Sequence, residues 1–203
     1  MEKIIWGIDP GSSICGVSKL SGGLIGDCFE CEPKLVYRRI MSLCGADKVT
    51  VVIEDIFPYS LKLTPAVIDT CKLIGELTYR FKKCRQVSSI ELVARNSVKK
   101  WVFDTVPEVC LPRIAKKIDA KHTKNLSKGL KGLTKLDGEM RKPSFNWVDD
   151  RIVKEAMKII HDIPEPLPGK SNIYGIKKDS HVWSALAVAT YLFRTATISG
   201  ENT

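Results

Sequence analysis

The chain has no apolar run approaching the ~18 residues of a membrane-crossing helix, no internal repeat, and no second Cys-x-x-Cys to match Cys28 and Cys31. The first absence argues against a helical membrane protein, the second against solenoids and propellers, the third against a zinc ribbon. Cys44 stands alone and His122 and His161 are isolated, so no other zinc pattern takes its place. Seven cysteines is an odd number, and no secretory signal precedes the first strand. The expectation is a reducing intracellular setting, cytoplasmic and nucleoid-associated or a host cell if viral, with thiols buried as small hydrophobes. Acid is also in short supply. Lys and Arg number 32 against 23 Asp and Glu, a net charge of +9 that favours an acidic polymer as partner.

What is present begins at Ile4-Ile5-Trp6-Gly7-Ile8-Asp9-Pro10-Gly11. The apolar run suits a strand covered on both faces, and Asp-Pro-Gly turns the chain sharply at its tip. Val49-Thr50-Val51-Val52-Ile53-Glu54-Asp55 repeats the pattern: a buried-looking strand that ends in acid. Were the two strands parallel neighbours, Asp9 and Glu54 would meet at one sheet edge. Paired carboxylates there are costly unless a divalent cation neutralises them.

Between and after these runs the elements alternate. Strands are expected at 15–20 and 24–29, joined through Ser21-Gly22-Gly23, and at 86–92. Helices are expected at 33–44, 64–84, 94–103 and 147–161. The last, rich in small residues, comes after Lys177-Lys178-Asp179-Ser180-His181 and suits tight packing on a sheet. Its first turn offers Asp179 and His181 where a third strand-edge ligand is wanted. Asp179 is also a natural helix cap, and the two roles can share a position.

Residues 113–142 break the pattern, with ten Lys or Arg against three acids. They are read as a mobile basic insertion whose lysines contact backbone phosphates. Phe145 and Trp147 at its exit are expected to anchor the next helix.

In their order and spacing these segments resemble the RuvC family of Holliday-junction resolvases, within the RNase H-like superfamily. Ile8-Asp9-Pro10-Gly11 resembles the family's first-strand motif, and Glu54-Asp55-Ile56-Phe57 its acid-x-hydrophobic-Phe segment. Leu61-Lys62-Leu63 and the helix carrying Gly75 resemble the family's next loop and helix. Ala94-Arg95 with Val98-Lys99 resembles its Ala-Arg-x-Val-Lys stretch, and residues 184–189 the start of its last helix. The similarity covers most of the chain except 105–145.

The resemblance implies an α/β, RNase H-like fold, a central mixed sheet of about five strands flanked by helices. One nuclease domain would span 1–203, with the basic insertion around 113–145. It further implies two Mg²⁺ per active site, with Mn²⁺ able to substitute, and a homodimer cutting opposing strands of branched DNA. Asp9 and Glu54 correspond to the family's first two ligands. His181 stands at the third, where some members carry His, and Ser184 replaces the fourth, an Asp. Either Asp179 supplies the missing carboxylate, or the second metal binds weakly, or junctions are bound without efficient cutting.

The expected catalytic and metal set is therefore Asp9, Glu54, Asp179 and His181. Lys99, Lys116, Lys117, Lys121, Lys124, Lys128, Lys131, Lys177 and Lys178 are expected on DNA. The alternatives are a catalytically weak junction-binding protein and a nuclease of the same fold acting on flaps or RNA–DNA hybrids. An actin-like sugar kinase also opens on an Asp-x-Gly turn, but needs far more chain and a second phosphate loop.

Overall fold

The computed structural model describes residues 2–56, 63–127, 145–164, 174–177 and 180–200. Five strands form one sheet: β1 (Ile4–Asp9), β2 (Cys15–Ser21), β3 (Leu24–Cys31), β4 (Val49–Asp55) and β5 (Val87–Ala94). Their spatial order is β3-β2-β1-β4-β5. β1, β2 and β3 pair antiparallel, while β4 lies parallel to both β1 and β5. The β2–β3 turn uses Gly22 and Gly23 at φ of 55° and 87°, values that glycine accepts readily in a two-residue turn.

Among the described residues six helices cover the sheet: α1 (Val36–Cys44), α2 (Pro65–Lys82), α3 (Arg95–Thr105), α4 (Pro107–Ser127), α5 (Asp150–Ile160) and α6 (Val182–Gly200). Side chains alternate across a strand, so β1 and β4 feed two cores. Trp6, Ile8, Val51 and Ile53 pack with α1 and α2. Ile5 and Val52 face the other way, toward α3, α4, α5 and α6. By the same alternation Asp9 and Glu54 belong to the second face.

Helix α6 reaches the sheet through missing side chains. A Cβ on Gly7 would lie 2.2 Å from the Ala185 carbonyl oxygen and 2.9 Å from the Ala189 Cβ. On the helix side Ala185, Leu186, Ala187, Val188 and Ala189 are fully buried. The small-residue run thus packs as its composition predicts.

The basic stretch differs from expectation in its first part. Residues 107–127 form α4, with Cys110 and Ile114 in the core beside Val106. The apolar side chains recur every four residues, and burying that stripe outweighs the charge beside it. Residues 128–144, which hold Lys128 and Lys131, lie outside the described residues. Phe145 and Trp147 form a short 3-10 turn and pack against the same core, as expected.

All seven cysteines are free thiols: four buried, Cys28 and Cys84 half-buried, and Cys71 exposed. Burial pushes the Cys15 and Cys110 thiols up to about 11, so neither is a ready nucleophile at neutral pH. No described helix is long and apolar enough to cross a membrane.

His161, just past α5, packs on α6 with Nε2 2.7 Å from the Thr190 Oγ1. The Thr190 hydroxyl donates to the Leu186 carbonyl, so the ring donates to Thr190 and is neutral. Burial, and then Arg194, lowers its pKa to about 4. The folded value lies below the unfolded one of about 6.5. Stability from this group is therefore complete above about pH 6.5 and lost as pH falls toward 4. Urea titrations should show His161→Gln losing about 2 kcal/mol less than wild type between pH 7 and 4.

Candidate active site

Parallel pairing sets Ile8 beside Ile53, so the next residues, Asp9 and Glu54, emerge together at the strand tips. Both are buried, Asp9 at 6% exposure and Glu54 at 3%. The Asp9 carboxylate so placed opposes ionisation of Glu54. Desolvation pushes Glu54 up to about 8, with Arg95 acting against the shift and Asp9 adding to it. Glu54 Oε2 has no hydrogen-bond partner. A buried carboxylate oxygen with no hydrogen bond, beside a second carboxylate, leaves acceptor capacity that a hard divalent cation can use.

The third expected ligand arrives from the far end of the chain. β2 runs beside β1, pairing Gly16 with Asp9. A Cβ on Gly16 would sit 2.3 Å from the His181 carbonyl, so the absence of one seats the start of α6 against the sheet. His181 Nδ1 then lies 3.0 Å from Asp9 Oδ2. The hydrogen bond to Asp9 raises the imidazole pKa. The His181 backbone N–H donates to Glu30 Oε1 at 2.9 Å, fixing the helix start from β3. The Ser180 side chain lies at the helix end, accepting from the Val182 N–H at 3.1 Å. Asp179 and Lys178 lie outside the described residues.

Helix α3 starts directly after β5, in register with the tip of β4, and this delivers Arg95 to the same place. Its Nη1 is 3.6 Å from Glu54 Oε2, and its Nη2 is 2.5 Å from Asp150 Oδ1. Asp150 opens α5, whose N-cap Asp149 accepts from the Ile152 N–H and pairs with Lys117. Among the described residues no three His, Cys, Asp or Glu side chains converge as a ready cage for a metal ion. Asp9 is engaged by His181, and Arg95 leans on Glu54.

Above Asp9 opens a cleft of about 760 Å³. Arg95, Arg113, Arg151 and Lys154 line it against Asp9, Asp150 and Glu155, with Trp183, Ser180, His181 and Ser184 on the α6 side. Of the expected DNA lysines, Lys116 and Lys177 are exposed and Lys117 is tied to Asp149. Lys99 is half-buried beside Glu54 and Arg95, and its pKa is lowered by burial and then by Arg95. Lys121 and Lys124 lie in the last turns of α4.

The fold has counterparts among solved structures. The chain matches T. thermophilus RuvC in complex with Holliday junction substrate at TM-score 0.55 and 12% identity, covering 97% of this chain and 96% of that one. The fold is that of RuvC. A second RuvC structure, from Thermus thermophilus, matches over the same shares at TM-score 0.50 and 13% identity. No family model matches the sequence, and no curated protein does.

On this RuvC fold, sequence reasoning missed Arg95 as a partner of Glu54, and Asp150, Arg113, Arg151 and Lys154 as cleft residues. Their pairing spans distant segments, and no local spacing encodes it. Gly7 and Gly16 were legible in principle, because glycine inside a strand marks close approach by another backbone.

Proposed function

We propose that this chain is a metal-dependent, structure-selective DNA endonuclease that resolves four-way junctions by paired phosphodiester hydrolysis. The observation carrying this reading is the Asp9–Glu54 pair, buried side by side at the strand tips, with Asp9 opening into a cation-lined cleft. The likeness to a RuvC bound to its Holliday junction substrate supports branched DNA as the partner.

Asp9 and Glu54, with His181 beside Asp9, would hold Mg²⁺, for which Mn²⁺ can stand in. Bound there, the metal supplies the positive charge that activates water and steadies the leaving 3′ oxygen. Ser184 brings no carboxylate for a second ion, and Asp179 lies outside the described residues. His181, fixed through Nδ1 by Asp9, presents a proton-accepting ring at the cleft wall. Arg113 and Arg151, with the exposed Lys116 and Lys177, neutralise backbone phosphates. Cutting two opposed strands takes two such sites, so the working form is a two-fold homodimer.

The test is cleavage of a synthetic four-way junction with Mg²⁺ and with Mn²⁺, beside flaps and RNA–DNA hybrids at one salt concentration. Paired symmetrical nicks in the junction alone are expected. Ser184 favours a second reading, a junction-binding protein that cuts poorly. Tight binding without cuts, with cleavage gained in Ser184→Asp, would support that reading instead.

A further inference from the structure

Arg95 is held at both ends by acids and has little room around it. Its Nη1 makes an ion pair with Glu54 Oε2 at 3.6 Å, and its Nη2 donates to Asp150 Oδ1 at 2.5 Å. Asp150 is itself fixed by the Asp149 cap and the Lys117 ion pair at the start of α5. The cavity that remains among Glu54, Arg95, Asp150 and Ser184 is about 10 Å³. That is space for about one water, whereas Mg²⁺ usually keeps several. A guanidinium holds its charge at any working pH and carries five N–H donors. Arg95 also lines the large cleft above Asp9, so it faces both the carboxylates and the space a phosphate would enter.

We propose that the Arg95 guanidinium is the second cation of this site, standing where Ser184 leaves no carboxylate for a second metal ion. Each chain then binds one divalent ion and presents Arg95 to the scissile phosphate. The inference rests on the nuclease reading for its substrate, but not for its ion count. In the reaction, water oxygen forms a new P–O bond and gives up its proton to solvent. The P–O3′ bond breaks, and the 3′ oxygen leaves with the electron pair and takes a proton from solvent. Arg95 spreads the charge that builds on the phosphoryl oxygens between these events.

Metal-free protein titrated with Mn²⁺ and followed by electron paramagnetic resonance should bind one tight ion per chain. Ser184→Asp alone should leave that count at one, because the arginine still fills the place. Arg95→Ala with Ser184→Asp should raise it to two. Arg95→Ala alone should keep one ion and cut junctions about 100-fold more slowly. If melting curves show that variant unfolded, Arg95→Lys keeps a charge beside Glu54 and should be about tenfold slower with the count still one. Two tight ions in wild type, or an unchanged rate in both arginine variants, would overturn the assignment. One ion in a wild-type protein that cuts no junction would sink the nuclease reading while supporting the arginine's place.

Discussion

Asp9→Asn should lower junction cleavage about 10⁴-fold while shifting the thermal midpoint by no more than about 4 °C. Asparagine keeps the shape of the side chain and an oxygen within reach of His181 Nδ1, now 3.0 Å from Asp9 Oδ2. What it loses is the charge. Without it, Glu54 is the one carboxylate left of the pair, and Mn²⁺ affinity should fall along with the rate. Stability changes little because the replacement also removes a repulsive neighbour from the buried Glu54. Junction binding in a metal-free gel-shift assay should persist, since the cleft's arginines and lysines do not depend on Asp9. A variant that still cuts at a tenth of the wild-type rate would remove Asp9 from the chemistry.

The second large effect belongs to a residue with no functional group. Gly16→Ala should cost about 3 kcal/mol, the upper end of overpacking penalties, and cleavage should fall about 100-fold. The new methyl would meet His181 carbonyl atoms at 2.3 Å and the Val182 nitrogen at 2.6 Å, all of them backbone. No rotamer change relieves a clash with backbone, so the first turn of α6 must lift. His181 then leaves Asp9 and its N–H leaves Glu30. Gly75→Ala is the counter-case. A Cβ there meets nothing within 4 Å, and an exposed mid-helix glycine replaced by alanine should stabilise by about 1 kcal/mol. Paired melting curves and single-turnover cleavage on the two variants separate a steric effect at one place from a general intolerance of alanine.

Much of this architecture is written locally. β1 and β4 are legible because each is an unbroken apolar run closed by acid, and the period of two then puts Asp9 and Glu54 on one face once the strands are neighbours. Only the parallel adjacency had to be supplied by the structure. The small residues after His181 likewise announced a helix that packs closely. What stayed hidden has a common cause. The stripe of Val106, Cys110 and Ile114 begins before the basic stretch and ends inside it, so charge density concealed a helix with an ordinary buried face. Arg95 looks locally like one more cation at a helix start. Its meaning comes from Glu54 and Asp150, which reach it from other segments. The Ser180 hydroxyl that accepts from the Val182 N–H at the start of α6 is likewise a contact that composition does not announce.

Asp9 and His181 are separated by 172 positions, yet they touch. During synthesis at about 5–20 residues per second, the first waits about 10–30 s for the second to leave the ribosome. The Asp9–Glu54 pair exists early, because β1 and β4 are near in sequence, but α6 has not yet been made. Until it docks over Gly7 and Gly16, neither the imidazole nor the α6 wall of the cleft is in place. A nascent chain therefore carries the two acids before the imidazole and the α6 wall that complete the cleft.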